Sequence, residues 1–385
     1  MEHLINNRVK EIEISGIRKF FNMVADTEDM ISFTIGQPDF PTPDHVKEAG
    51  KMAIDKNITS YTHNAGDIKL RKAAANFVQK KYGLTYNAET EIIVTTGASE
   101  AIDIAFRTIL DEGSEVILPG PVYPGYEPII RLCGAKPVLA DIRENQFRFT
   151  ASIIEKYITN KTRCIVIPYP SNPTGVSLTK SELVEIAELL RDKEIFILAD
   201  EIYSELIYDQ THVSIGTMLR EKTMVINGLS KSHSMTGWRI GFLFAPQYLA
   251  QQILKVHQYN VTCASSISQM AAIEALTSGM NDAELMRDEY KQRREFVYNR
   301  LTNMGLEVVK PDGAFYFFIK QPTSSMTSFE FCLDLVKQIG VAVVPGSSFS
   351  PLGEGYFRLS FACSMELLEE GLNRLESYLN QKERG

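Results

Sequence analysis

Short apolar runs alternate with segments of helical periodicity through the middle of the chain, and this alternation constrains the fold most. The runs with the composition of buried strands are residues 91–95, 115–118, 163–168, 195–199, 223–226 and 241–244. Strands that alternate with helices form βαβ units, in which a mainly parallel sheet carries helices on both of its faces. The expected fold class is therefore α/β, with this sheet at the centre of a large domain.

The pattern changes in the last third of the chain. A helical region at about residues 247–300 is followed by strand-like runs at 315–319, 341–344 and 356–361, interleaved with helices at about 328–338 and 365–380. A chain of 385 residues also exceeds what one ordinary core holds, so a second, smaller α+β domain is expected. The predicted division is an N-terminal arm and part of the small domain (1–44), a large domain (45–285) and the C-terminal small domain (286–385).

Residues 179–182, Thr-Lys-Ser-Glu, predict the start of a helix. Thr179 and Glu182 have the spacing of a capping box, and apolar residues recur at helical intervals from Leu183 onward. The same helix accounts for the Ser-x-x-Lys pattern at residues 177–180, which in another context would indicate a serine hydrolase.

Charge and cysteine content exclude several classes of function. The net charge is −8, and no stripe of clustered Lys and Arg indicates binding to nucleic acid or to anionic membranes. Cysteines are widely spaced without a paired C-x-x-C motif, so no metal site is expected and most are predicted to be buried, reduced thiols. The first residues lack the apolar core of a signal peptide, which favours a cytoplasmic protein.

Polar residues follow successive strands at the positions where ligands of open α/β sheets bind. Each has an ordinary structural explanation when taken singly: a turn residue, a helix cap, a core aromatic or a solvated charge. Their joint occurrence at strand ends indicates one site. The residues are Gly97, Ala98 and Ser99 after the first strand, Tyr123 after the second, Asn172 after the third, Asp200 and Tyr203 after the fourth, and Ser230, Lys231 and Arg239 after the fifth.

An aldehyde cofactor that carries a pyridine ring would give most of this set a role. Lys231 can form an imine with the aldehyde, and Asp200 can keep the ring nitrogen protonated, so that the ring accepts electrons. Tyr203 and Asn172 can donate hydrogen bonds to the phenolate oxygen of the ring. Tyr123 can stack on the face of the ring.

A phosphate on the same cofactor would account for the remaining residues. Free amide groups at the start of a helix form a seat for a phosphate, and arginine supplies paired planar donors to one. The predicted phosphate ligands are the amides of Gly97, Ala98 and Ser99, with the side chains of Ser230 and Arg239.

These residues lie in stretches by which the chain resembles a known family along nearly its whole length. The family is the fold-type I, class I and II aminotransferases, which use pyridoxal 5′-phosphate. The resemblance implies transfer of an amino group between an L-amino acid and a 2-oxo acid such as 2-oxoglutarate. The matching stretches are residues 60–66, 96–101, 123–126, 171–175, 200–203, 230–239 and 358–360.

The resemblance also implies roles for individual residues. Lys231 would act as the general base, and Arg358 would grip the α-carboxylate of the substrate with help from Asn172 and the backbone of Gly36. Tyr61 would reach the phosphate in the partner subunit of a homodimer. The arm at residues 14–23 and the small domain would close over the bound substrate and exclude water.

The family resemblance leaves the substrate open. The chain is most similar to the subgroup that contains aminotransferases for N-acetyl-L,L-diaminopimelate, in lysine synthesis, and for aromatic amino acids. Ser99 stands where aspartate-specific members often carry a basic residue, which weakens the case for a strict dicarboxylate preference. Gly228 stands where some members bind phosphate through a hydroxyl, which makes Ser230 less secure than Arg239 as a ligand.

Other proteins of the same fold are the competing interpretations. A C–S β-lyase or a cyclopropane-forming synthase would share most of the motifs. A transcriptional regulator that uses the cofactor as a sensor is disfavoured by the acidic net charge and by the lack of a DNA-binding head before Gly36. A relative without cofactor is disfavoured because Lys231, Asp200 and Arg239 are all present.

Overall fold

A computed structural model describes residues 1–24, 29–322 and 325–383. Its β-strands gather into one large sheet and two small ones. The strands are β1 (Ile31–Ser32), β2 (Ile92–Thr95), β3 (Glu115–Gly120), β4 (Lys136–Asp141), β5 (Thr162–Ile167), β6 (Phe196–Asp200), β7 (Thr223–Gly228), β8 (Gly241–Phe244), β9 (Tyr316–Lys320), β10 (Val341–Ala342), β11 (Val344–Pro345) and β12 (Tyr356–Ser360).

Helices occupy most of the remaining chain. They are α1 (Asn7–Lys10), α2 (Gly16–Val24), α3 (Asp44–Asp55), α4 (Ile68–Tyr82), α5 (Ala98–Ile109), α6 (Tyr126–Leu132), α7 (Ala151–Tyr157), α8 (Lys180–Leu190), α9 (Leu229–Ser232), α10 (Gln247–Asn260), α11 (Ser266–Leu276), α12 (Ala283–Asn303), α13 (Ser328–Ile339) and α14 (Met365–Glu383). The helical region expected at 247–300 is thus three helices. The capping box of Thr179 and Glu182 at the start of α8 is confirmed.

The large sheet has seven strands in the order β2-β8-β7-β6-β5-β3-β4. Strand β8 runs antiparallel to β2 and β7, and the other neighbouring pairs are parallel. This confirms the predicted fold class. Strand β4 was not predicted, because it lies at the edge of the sheet and its side chains are only partly buried, so it lacks a continuous apolar signal.

Alternation along the strands builds an apolar core on each face of this sheet. Within β6, Ile197 and Ala199 pack into one cluster, whereas Leu198 packs into the other. Within β7, Val225 faces the first cluster and Met224 the second. Because successive side chains of a strand point to opposite faces, a sheet covered by helices on both sides needs apolar residues at both parities.

The two small sheets contain the C-terminal strands. Strands β11, β12 and β9 form an antiparallel sheet, and β1 pairs with β10 in parallel. The predicted strand at residues 341–344 is therefore divided between two sheets. Ile31 lies opposite Val341, so the N-terminal segment pairs with a C-terminal strand. The residue numbers of the domain division remain a prediction.

The five cysteine thiols are free. Cys164 and Cys332 are buried, but Cys133, Cys263 and Cys363 are only half-buried, so the expectation that most are buried is wrong. The three half-buried residues lie outside the helices and strands, and Cys133 and Cys363 pack against the edge of the apolar core. Among the described residues no helix has the length and apolarity that crossing a bilayer requires.

Candidate active site

A cleft of about 840 Å³ opens at the carboxyl ends of the large sheet's strands. The helix α2 and the strands β9 and β12 supply its other wall. Its volume is in the range of small-molecule sites. Sequence-predicted residues that line it are Gly36, Ala98, Ser99, Tyr123, Asn172, Asp200, Tyr203, Ser230, Lys231, Arg239 and Arg358.

Two predicted residues do not line this cleft. Gly97 lies against the guanidinium of Arg239, which itself lines the cleft. Tyr61 is 83% exposed and lies elsewhere on the surface of the single chain. That exposure leaves Tyr61 available to another molecule and gives it no contact with its own cleft.

Lys231 lies on α9, the short helix that follows β7. Its Nζ donates a hydrogen bond to the carbonyl oxygen of Gly36, which comes from the N-terminal segment. The aromatic rings of Tyr203 and Phe315 lie 5.6 Å and 5.7 Å from Nζ. Burial, and to a smaller extent the positive charges of Arg358 and Arg239, lower the pKa of Lys231 to about 7. The amine is therefore available as a base or nucleophile near neutral pH.

Asp200 ends β6 and is 6% exposed. The Tyr126 hydroxyl donates to its Oδ2 at 2.6 Å, and the Ile202 amide donates to Oδ1 at 3.3 Å. Burial raises the pKa of Asp200, while the hydrogen bond from Tyr126 acts in the opposite direction. No described Lys, Arg or His forms an ion pair with this carboxylate. A buried carboxylate without a cation suits a ligand that carries a positive charge on its inner end.

Arg358 lies on β12 and is 2% exposed. Its Nη1 donates to Asn172 Oδ1 at 3.0 Å, and its Nη2 donates to the carbonyl oxygen of Thr34 at 2.8 Å. The ring of Tyr316 lies 4.3 Å from its Cζ. Within the described chain, Nε has no hydrogen-bond partner and no carboxylate pairs with the guanidinium. Since an unpaired buried charge is costly, the arrangement is prepared for an anion such as a carboxylate.

A second seat for an anion lies at the start of α5. Gly97 precedes the helix with φ of +79°, and a Cβ atom at this position would lie 2.5 Å from Arg239 Nη2. Only glycine lets the guanidinium approach the helix start so closely. No side chain among the described residues caps α5, so the first amides of the helix are free to bind a ligand beside Arg239. Helix amides and an arginine together favour a phosphate. Ser230, 7% exposed, lines the cleft as well.

Two tyrosines that the sequence analysis did not assign to the site are part of it. Tyr126 holds Asp200, as described above. The Tyr316 hydroxyl lies 2.8 Å from that of Tyr203. The ring of Tyr316 packs against the guanidinium of Arg358. Tyr126 belongs to the 123–126 stretch, which was a usable signal. Tyr316 stands in an aromatic strand, where nothing in the sequence separates a site residue from a core residue.

Comparison with known proteins gives a consistent result. The family model described as aminotransferase class I and II matches residues 28–375. The chain is 63% identical, over 99% of its own length and 97% of the relative's, to the probable N-acetyl-LL-diaminopimelate aminotransferase of Bacillus subtilis. It is 41% identical to the aromatic-amino-acid aminotransferase 2 of Thermococcus litoralis, covering 98% and 99%. The solved structure of an aromatic aminotransferase from Pyrococcus horikoshii superposes with a TM-score of 0.90 at 40% identity, covering 95% and 99%.

The lowered pKa of Lys231 can be tested by chemical labelling of the protein freed of small molecules. Because only the neutral amine reacts, its acetylation by a water-soluble acylating reagent is expected to reach half of its maximal rate near pH 7. Lys51 is the control, since its ion pair with Glu48 raises its pKa. Removing a nearby positive charge in Arg358→Met should shift the Lys231 profile to higher pH. Peptide mass spectrometry measures both sites, and a Lys231 midpoint above pH 9 would contradict the assignment.

Proposed function

The chain belongs to the aminotransferase class I and II family and is an aminotransferase that uses pyridoxal 5′-phosphate, and we propose that its amino donor is N-acetyl-L,L-diaminopimelate. The observation that carries this proposal is the likeness to the Bacillus subtilis relative over nearly the full length of both chains. The proposed acceptor is 2-oxoglutarate, and the proposed pathway is lysine biosynthesis. The relatives named above are aminotransferases, so the C–S β-lyase alternative is not favoured.

The cleft fits the cofactor at three separate points. The seat formed by Gly97, Arg239 and the start of α5 fits its phosphate. The buried carboxylate of Asp200 fits its protonated ring nitrogen, and the amine of Lys231 fits its aldehyde. When bound, pyridoxal 5′-phosphate supplies an electron-accepting ring for the electron pair left when the α-proton of the substrate departs.

The chain's own residues perform the proton transfer in this proposal. Lys231, with a pKa of about 7, takes the proton from the α-carbon of the substrate and holds it for return. Positioned proton transfer of this kind contributes on the order of 10²–10⁴ in rate. Asp200, whose position is fixed by Tyr126, would hold the ring nitrogen. Tyr203 and Asn172 would donate hydrogen bonds to the ring oxygen, and Tyr123 would pack on the face of the ring.

The ligands proposed for the phosphate lie on two helix starts. The amides of Gly97, Ala98 and Ser99 precede or begin α5, and Ser230 lies on α9. Arg239 adds the full positive charge. Its Nη1 is already held by the carbonyl of Thr236 at 3.0 Å, which fixes the direction of the guanidinium.

The α-carboxylate of the substrate is proposed to bind Arg358, with Asn172 and the backbone of Gly36 assisting. The bonds from Arg358 to Asn172 and Thr34 lock the guanidinium in place before a ligand arrives. Such preorganisation reduces the entropy lost on binding. The arm that contains α2 lines the same cleft, so its closure with the small domain would exclude water from the reacting carbon.

We further propose a cytoplasmic homodimer with the domain division given above. Exposed aromatic and aliphatic side chains support an interface between two copies of the chain. They include Ile58, Tyr61, Tyr259 and Val261. Tyr61 would then contact the phosphate in the partner's cleft.

The donor is tested by the change in visible absorption of the bound cofactor when single amino acids are added. N-acetyl-L,L-diaminopimelate is expected to give the largest second-order rate constant. It should exceed the constant for phenylalanine by at least about tenfold, because a pocket shaped for one side chain discriminates against others by roughly 1–3 kcal/mol or more. Aromatic donors are the second candidate, supported by the Thermococcus litoralis relative. A faster reaction with phenylalanine would replace the first candidate by the second.

The role of Arg358 is tested by Arg358→Lys. An ammonium cannot reproduce the planar fork, so KM for the amino donor should rise by about tenfold or more. Arg107→Lys is the matched control, because Arg107 is a surface arginine paired with Asp103 one helical turn away. Steady-state kinetics with an unchanged KM in the first variant would refute the assignment.

The shared site is tested by mixing two impaired variants at a cofactor concentration too low to saturate Tyr61→Ala. Tyr61→Ala should weaken cofactor binding, and Lys231→Ala should abolish transfer. In a mixed dimer, the intact Lys231 of one subunit would meet the intact Tyr61 of the other at one of the two sites. Random pairing in an equal mixture makes half of the dimers mixed, so activity should return to about a quarter of that of the same amount of wild-type enzyme. Light scattering measures the dimer. A mixture that dimerises without recovering activity would show that Tyr61 serves its own subunit, and full activity of Tyr61→Ala alone would show that it serves neither.

A further inference from the structure

A fully buried histidine lies behind the proposed phosphate seat. His257 on α10 is 0% exposed, and in the described chain it does not line the cleft. Its Nδ1 lies 2.7 Å from Oε1 of Glu100, whose side chain is 8% exposed and belongs to the first turn of α5. Its Nε2 lies 2.9 Å from the carbonyl oxygen of Asn64. His257 therefore joins the start of α5 to a segment distant from it in the chain.

These two hydrogen bonds determine the charge that His257 and Glu100 carry together. A carbonyl oxygen can only accept a hydrogen bond, so Nε2 must carry a hydrogen. Nδ1 then either donates a second hydrogen to the ionised carboxylate or accepts one from the protonated carboxyl group. In both arrangements the two side chains together have no net charge. Among the described residues, His257 is the only one that forms an ion pair with Glu100.

The segment at Asn64 holds the imidazole ring in this orientation. Asn64 Nδ2 donates to the carbonyl oxygen of Thr262 at 2.8 Å. The buried side chain of Gln269 donates to Thr62 Oγ1 at 3.0 Å and accepts from the amide of Asp67 at 2.7 Å. Because the segment is fastened at several points, its carbonyl group keeps Nε2 in place, and Nδ1 stays directed at Glu100.

An unpaired charge on Glu100 would oppose an anion at the seat. Its second oxygen, Oε2, accepts a hydrogen bond from the amide of Thr96, which directly precedes Gly97. The partial positive charge of a helix start favours an anion. Here α5 has a carboxylate in its first turn and the proposed phosphate beside that turn. Two anions so close together repel each other, and buried charges are screened little by salt.

We propose that His257 is a positioning residue for the cofactor phosphate, which acts by neutralising Glu100. The neutral pair keeps the hydrogen bond from Thr96 to Glu100, which holds the turn before α5, and it removes the repulsion that a lone carboxylate would exert on the phosphate. This inference rests on the phosphate seat proposed above and adds a residue that acts on that seat through another side chain.

The test compares two aldehydes that differ only in the phosphate group. Pyridoxal 5′-phosphate and pyridoxal both react with Lys231, so the ratio of their dissociation constants isolates the contribution of the phosphate. Association and dissociation rates are followed by visible absorption in the full-length protein freed of cofactor, at pH 8, which keeps carboxylates ionised. His257→Gln should weaken binding of pyridoxal 5′-phosphate by about tenfold or more and that of pyridoxal by no more than about twofold, since only the phosphate is repelled. His45→Gln is the matched control and should change neither constant, because His45 also pairs with two carboxylates, Glu274 and Asp282, but lies outside the described lining of the cleft.

A second substitution separates the effect of charge from that of structure. Adding Glu100→Gln to His257→Gln removes the unpaired carboxylate, so the affinity for pyridoxal 5′-phosphate should return to within about threefold of the wild-type value. Thermal unfolding confirms that each variant is folded. Equal losses for both aldehydes in His257→Gln, no loss for either, or a double variant that binds no better than His257→Gln would each overturn the role of His257.

Arg239→Gln distinguishes a failure of this inference from a failure of the proposed seat. Arg239 supplies the cation that is proposed to bind the phosphate, so its substitution should also reduce the preference for pyridoxal 5′-phosphate over pyridoxal. An unchanged preference in Arg239→Gln would overturn the seat itself. A preference that falls in Arg239→Gln and stays unchanged in His257→Gln would overturn the role of His257 alone.

Discussion

The buried guanidinium of Arg358 is the interaction on which the site depends. It extends from β12 of the small sheet and bonds to Asn172, which follows β5 of the large sheet, and to Thr34 near β1. One side chain thereby ties three separate segments around the cleft. The charge has no carboxylate partner in the described chain. The free-energy cost of burying it is offset by these hydrogen-bond acceptors and by the faces of aromatic rings.

Burial in the same cleft shifts the pKa values of Lys231 and Asp200 in opposite directions. It lowers the pKa of Lys231 to about 7, and it raises the pKa of Asp200 above its ordinary value. Arg358 adds to the first effect, since two cations in a common cavity disfavour each other's charge. A carboxylic substrate that neutralises Arg358 would return part of that effect, so binding of the substrate and the basicity of Lys231 are coupled.

Much of the site could be predicted from the sequence, because its residues follow strands whose carboxyl ends must meet at one edge of a parallel sheet. Asn172, Asp200 and Lys231 were found in this way. Tyr316 was not, since it lies in a buried aromatic strand and differs from core residues only in what surrounds it. Strand β4 was missed for its weak apolar pattern.

The sequence by itself determined the alternating α/β order, the capping box at Thr179 and the set of polar residues at strand ends, because these follow from local periodicity and from short-range hydrogen bonding. Only the tertiary structure decided what those residues meet. The burial of Arg358 and the hydrogen bond between Lys231 and Gly36 both depend on contacts between segments that are far apart in the chain. Such contacts arise from packing between elements, and desolvation, which sets the reactivity of Lys231, exists only once that packing is complete.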